Sequence, residues 1–260
     1  MIQEKNKFFF RSLRVLYQGE ILEKLLDKNK YDFITVISYR DLGLEKKGFE
    51  LKRKKLANIR LDETVEEIFD GFARATRQEI AKTYKIQELD FRIADPNREK
   101  TYCLYQEFER AQGRKPWGKD TFLNVINFNA YFKEDLIASV PCYDVFPYLQ
   151  VRAMFSKRMG IHEKDKEFYK LIGSATRRLI FEICKYGKER NYKFVGLGSI
   201  NYSTPQKANV ANFKMFFGSK EGDEYTYIYK SRKFAALVKI NNFLRNFLSR
   251  ALYKELLLII

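Results

Sequence analysis

The sequence predicts an α/β chain whose mixed, mostly antiparallel sheet is flanked by helices and followed by a C-terminal amphipathic helix. Three observations carry this prediction. Phe168, Leu171, Ile172, Ala175, Leu179, Ile180, Ile183 and Cys184 recur at 3.6-residue spacing, which marks one long helix over Glu167–Arg190. Extended apolar segments at Asn124–Phe132, Leu136–Phe146 and Tyr148–Phe155 are joined by Lys133-Glu134-Asp135 and by Pro147, connections short enough to make them antiparallel neighbours. The order of elements is strands, two helices, an antiparallel run, a helix and further strands, without the strict alternation of a doubly wound sheet.

Taken in order, residues 7–17, 31–40 and 49–60 read as strands with charged tips. A helix starts at Asp62, or at Thr64 with Glu67 completing a capping box, and its apolar stripe is Val65, Ile68, Phe69, Phe72 and Ile80. Its acids come first and Arg74, Arg77 and Lys82 follow, the order that suits the helix dipole. Ile86–Ala94 is a strand. Asp95-Pro96 opens a second helix with the stripe Tyr102, Tyr105, Phe108 and Ala111, stopped by Gly113. After the long helix, Phe194–Ile200 reads as a buried strand and Tyr225–Lys230 as another, with Tyr225, Tyr227 and Tyr229 on one face. The stretch between them, Val210–Gly218 (VANFKMFFG), reads as part of the sheet region. Phe234–Ile260 is the final amphipathic helix, packing on the core or on a partner. Residues 1–233 form one domain, in which strands 1–61 are an extension, and 234–260 the terminal helix.

Charge is the strongest compositional signal. Among 260 residues, 49 Lys and Arg face 33 Asp and Glu, a formal balance of +16 that favours anionic partners such as nucleic acid, phosphorylated cofactors, nucleotide-linked precursors or a membrane surface. The excess is dispersed, so much of it reads as solvated surface. Cys103, Cys142 and Cys184 lie in apolar segments without metal-ligand spacing, and a single histidine, His162, supports no zinc site; no metal is expected. The N-terminus lacks a signal-peptide pattern, and no apolar run is long enough for a bilayer. The expected location is the cytoplasm, with contact to the inner membrane face confined to the last helix.

Lys214 stands out because it lies among Phe213, Phe216 and Phe217, where an ammonium is aimed either at an anion or, by snorkelling, at solvent. With its surroundings, it carries a family resemblance. LDETVEEIFDGFARATRQEIAKTYK resembles, through Glu67, Ile68, Phe69, Thr76, Arg77, Glu79, Ile80 and Lys82, a helix of the FemAB/FemX-type aminoacyl and acyl transferases, which have the GNAT fold. YKFVGLGS after the long helix resembles their Tyr-Asp-Leu-Gly-Gly strand, and NFKMFFG their Phe-Lys-x-x-Phe-Gly motif through Phe213, Lys214, Phe217 and Gly218. Gly196 stands where the family has aspartate, Ser199 replaces the second glycine, and Ala81 a common arginine.

The resemblance implies a GNAT fold and transfer of an acyl or aminoacyl group, from acyl-CoA or aminoacyl-tRNA, to an amine of a nucleotide- or lipid-linked cell-wall or polysaccharide precursor. Lys214 would stabilise the oxyanion or grip a phosphate. From the residues themselves, the proton-transfer candidates are Asp144 at the end of its strand, His162, and Tyr225 or Tyr227 beyond Lys214. Arg74 and Arg77, one helical turn apart, would hold an acceptor phosphate or carboxylate, with Phe213, Phe217 and Tyr225 lining the pocket. The coenzyme loop falls at Ser156–Ile161, where Lys157, Arg158 and Gly160 replace the Arg/Gln-x-x-Gly-x-Gly/Ala anion cradle. The rival expectation is a non-catalytic basic module that binds nucleic acid through cations and aromatic rings.

Overall fold

The structure, a computed structural model, describes residues 1–7, 10–17, 25–122, 124–158 and 165–247. In chain order it runs β1 (Ile2–Lys7), β2 (Phe10–Leu16), β3 (Phe33–Ser38), β4 (Glu50–Arg60), α1 (Val65–Asp70), α2 (Arg74–Thr83), β5 (Leu89–Ile93) and α3 (Arg98–Ala111). There follow β6 (Val125–Ile126), β7 (Phe128–Phe132), β8 (Asp135–Ser139), β9 (Cys142–Val145), β10 (Tyr148–Val151), β11 (Phe155–Ser156) and α4 (Lys166–Glu189). The last elements are β12 (Phe194–Ser199), α5 (Pro205–Met215), β13 (Lys220–Lys230) and α6 (Arg232–Phe247).

The chain divides into two compact units, residues 1–54 with 223–260, and residues 55–222. In the first, β2 pairs antiparallel with β1 and parallel with β3, and β3 pairs antiparallel with Tyr225–Lys230 of β13. Leu13, Val15, Ile34, Val36, Phe49 and Tyr227 form its core, with Tyr225 and Tyr229 packed against it. The three tyrosines share a face as their alternation predicts, and that face is core. α6 begins two residues before the expected start, where Ser231 Oγ accepts from Phe234 N and the Phe234 ring packs 5.1 Å from Phe33 and 5.5 Å from Phe10. The expected extension over 248–260 lies outside the described residues.

In the second unit β12 pairs antiparallel with β4 and parallel with β10, and β10 continues antiparallel through β9 to β6. A separate antiparallel group has the order β11-β8-β7-β5. The long helix α4 buries Ile172, Ala175, Leu179, Ile180 and Ile183 in one cluster with Phe128, Ile137, Leu149 and Val195. Each Å² of apolar surface that this stripe removes from water stabilises the packed helix by about 25 cal/mol.

Three expectations are corrected. The strand read over Leu136–Phe146 breaks at Val140-Pro141, so β8 and β9 pair with different partners. The helix beginning near Thr64 breaks between Asp70 and Arg74, because Ala73 N turns out of helical bonding to the carbonyl of Phe216, 2.8 Å away. Val210–Gly218 is the end of helix α5 and its exit, not sheet. Thr204 caps that helix through Lys207 N, and Pro205 sits at the first position, where its missing N–H has no intrahelical role.

Candidate functional site

Helix α5 sets Lys214. Phe217, 1% exposed, packs edge-on against Phe72 at 5.3 Å and Phe213 at 5.2 Å. Gly218 has φ +63°, and a methyl group there would lie 2.6 Å from the carbonyl oxygen of Gly71. Phe217 and Gly218 therefore clamp the end of α5 onto the turn between α1 and α2. With the helix end held, Lys214 faces inward and is 7% exposed. Its Nζ donates to Ser199 O at 2.7 Å, and among the described residues no carboxylate pairs with it. Burial lowers its pKa to about 8, because removing the ammonium from water disfavours the charged form.

The strands aim at the same place. Parallel pairing of β10 with β12 runs Tyr148↔Phe194, Leu149↔Val195 and Gln150↔Gly196 and ends there. Beyond it β12 bulges between Gly196 and Ser199, and Gly198 takes φ +84°. A methyl group on Gly198 would stand 3.5 Å from Lys214 Nζ and 4.0 Å from Gln150 Nε2. Gln150 is 6% exposed, and its Nε2 donates to Val151 O at 3.1 Å. A cation and an amide N–H group thus converge on a glycine where two parallel strands part. Two donors so placed are suited to a negative oxygen that develops during reaction.

The other predicted site residues are placed as follows. Tyr227 is fully buried in the first unit; its hydroxyl donates to Asp41 Oδ1 at 2.5 Å and accepts from Leu42 N at 2.7 Å. Burial, then the Asp41 carboxylate, raises its pKa to about 12. Tyr225 stacks beneath Arg53 in that same unit. Asp144 is exposed and accepts from Tyr192 O–H at 2.8 Å. It sits at the Tyr192 end of β12 while Lys214 sits at the Ser199 end, roughly 20 Å away at ~3.3 Å per residue, so the structure does not bring the two together. Arg74 is exposed at the start of α2, whereas Arg77 turns back to the Asp70 carbonyl and lies 3.8 Å from its carboxylate. Phe213 precedes Lys214 in α5 and packs on Phe217, 5.2 Å away between ring centroids.

In the segment where a coenzyme loop was expected, Lys157 Nζ is held by both oxygens of Asp135 at 2.7 Å, and Arg158 lies 3.8 Å over the Tyr169 ring. Gly160 and His162 lie outside the described residues. The N-terminus of α4 carries its own carboxylates: Asp165 accepts from Phe168 N at 2.8 Å, and Glu167 occupies the first turn. Those charges answer the helix dipole that would otherwise favour a phosphate.

Sequence reasoning missed Gln150 and Gly198. The one signal for Gln150 was a lone amide in the apolar run Tyr-Leu-Gln-Val, and for Gly198 a glycine kept where the strand neighbours depart from the family pattern. A wider cleft of about 740 Å³ opens at the other end of β12, between Asn58 and Lys220. Its Arg60 pairs with Asp62, and its Lys188 donates to the carbonyls of Leu61 and Asp62. Lys193 and Lys220 line the cleft as well.

No known family model matches the sequence, and no curated protein sequence matches it. Solved structures do. FemX superposes with a TM-score of 0.63 at 10% identity, over 88% of this chain and 84% of that one. The C-terminal domain of a putative lysylphosphatidylglycerol synthetase from Agrobacterium fabrum gives 0.57 at 12% identity, over 94% and 85%. L-PGS from Bacillus licheniformis gives 0.55 at 15% identity, over 89% and 81%. At these identities the likeness is one of fold: the chain has the GNAT-like fold of FemX, as the motif resemblance implied.

Proposed function

We propose that this chain is an acyltransferase that moves an acyl or aminoacyl group onto the amine of a nucleotide- or lipid-linked cell-wall or polysaccharide precursor. The observation that carries this reading is Lys214, a buried ammonium directed at Gly198–Ser199 where β10 and β12 part. In acyl transfer the amine nitrogen bonds to the carbonyl carbon and the carbonyl oxygen takes up negative charge. The bond to the leaving oxygen or sulfur then breaks with its electron pair, and the proton lost by the amine nitrogen ends on that leaving atom, giving the amide and a free alcohol or thiol. Lys214 Nζ and Gln150 Nε2 are the donors for that transient oxyanion. A pKa near 8 leaves Lys214 mostly protonated at pH 7, the form the task needs.

Aminoacyl-tRNA is the donor this site favours. The α4 N-terminus is capped by Asp165, Lys157 is paired with Asp135, and the helix-terminal cradle for a coenzyme diphosphate is occupied by carboxylate. Membrane contact is assigned to α6, whose exposed Leu237, Ile240 and Phe243 lie along a helix that also carries Arg232, Lys233 and Lys239. No helix among the described residues is long and apolar enough to cross a membrane.

The test is thermal protection and transfer by aminoacyl-tRNA, with acetyl-CoA in parallel, for the wild-type protein and Lys214→Ala. Protection by aminoacyl-tRNA, with transfer reduced about 10²–10³-fold in a folded Lys214→Ala variant, is the expected result. Protection by acetyl-CoA alone would reverse the donor assignment. RNA binding that is salt-dependent, unaffected by Lys214→Ala and unaccompanied by transfer would replace the enzyme with a nucleic-acid-binding module.

A further inference from the structure

Two arginines, Arg158 and Arg177, meet in the groove between α2 and α4, and among the described residues neither is in an ion pair. Arg178, one residue further along α4, shows the ordinary arrangement: it pairs with Glu182 at 3.2 Å, reaches Thr83 Oγ1 at 3.4 Å and stacks on Tyr84. Arg158 shares the ring stacking but has neither the ion pair nor the hydrogen bond. Its guanidinium lies over the Tyr169 ring, and a methyl group at Gly173 would come within 3.2 Å of its Cζ and 3.4 Å of both terminal nitrogens. Its Nε is buried with no hydrogen-bond partner, and among the described residues it has neither a carboxylate nor a carbonyl acceptor.

Arg177 stands on the same stretch of helix. Its Nη1 donates to Gly173 O at 3.1 Å, and its outer face meets the Phe213 ring. Burial, then the charge of Arg158, lowers its pKa, while Glu79 opposes that shift from a distance. Glu79 offers little compensation, because its oxygens already accept from Ser174 Oγ and from Lys82. Glu167 lines the groove as well but is paired with Lys170. The groove, about 430 Å³, therefore sets Lys82, Arg158, Lys170 and Arg177 against Glu79 and Glu167.

Two adjacent guanidiniums are a net cost to a fold unless an anion neutralises them, and planar N–H forks match phosphate oxygens. We propose that Arg158 and Arg177 form a phosphate-binding subsite in the α2–α4 groove, with Gly173 left bare so that Arg158 can lie flat and present its edge. The ligand class is a phosphate or diphosphate ester. The subsite lies along the α2–α4 groove, which Glu167 of the first turn of α4 also lines, and it does not depend on acyl transfer at Lys214.

The experiment is calorimetric titration of the whole chain with inorganic pyrophosphate, UDP and ADP at low ionic strength, with potassium chloride as the ionic control. Wild type, Arg158→Gln, Arg177→Gln and Lys214→Ala are compared. Binding by wild type and Lys214→Ala, weakened at least tenfold in both arginine variants, is the expected result. Equal affinity for pyrophosphate and the nucleotides assigns the subsite to the phosphates alone, and tighter nucleotide binding adds a base contact; both support it. The ligand-free arginine variants should melt at or above the wild-type temperature, because like-charge repulsion is relieved. Absence of binding by wild type, or binding that neither arginine variant weakens, overturns the subsite. A fall of several degrees in ligand-free melting without any loss of binding assigns the arginines to structure alone.

Discussion

Lys214 ties stability to pH in a direction opposite to that of a paired lysine. Its folded-state pKa, about 8, lies below the usual 10.5. Between those values the unfolded chain binds one proton more than the folded one, so stability rises as pH climbs from about 8 to 10.5. Below about 8 the buried charge imposes its full penalty. Lys214→Met should stabilise the protein at pH 7 by about 1–3 kcal/mol and lose that advantage near pH 10.5, as urea denaturation at the two values would read. Transfer activity should move the other way, falling above about pH 8 as the ammonium is lost. Gly218 makes a separate prediction: φ +63° and the 2.6 Å approach to Gly71 O leave no room for a side chain. Gly218→Ala should cost about 2–3 kcal/mol by the same denaturation measurement.

At the scale of elements, the site depends on how one short helix is held. α1 has six residues, too few to persist alone, and Thr64 with Glu67 closes a reciprocal capping box at its start. Thr64→Ala should destabilise by about 1 kcal/mol. The turn after α1 receives Phe217 and Gly218, so the apolar residues of the lysine motif act on Lys214 through position. Phe217→Ala should cost about 3–5 kcal/mol and loosen α5, measured as a drop in melting temperature. The capping box was legible because its four residues are contiguous. The α5 helix was not, since its apolar pattern is short and its only local marks are Thr204 and Pro205. The break at Val140-Pro141 was equally hidden: an apolar strand reads the same whether it keeps one partner or changes to another.

Across the whole molecule, a formal charge of +16 opposes compaction through self-repulsion, and the ion pairs are mostly exposed and individually weak. Raising potassium chloride from about 20 to about 200 mM should therefore raise the melting temperature, since screening shortens the reach of that repulsion. The opposite trend would mean that the surface pairs outweigh it. The sequence by itself determined the class of fold, the long helix α4, the antiparallel run and the lysine motif. Each of these is written in neighbouring residues, as a period, a cap or a turn. Only the tertiary structure decided what surrounds Lys214, that Asp144 stands a strand's length away, and that Tyr227 belongs to a core. It alone set Gln150 beside Gly198 and Arg158 beside Arg177. Such pairings join residues tens of positions apart, and the burial that shifts a pKa or leaves a guanidinium unmatched exists only once the chain has closed around it.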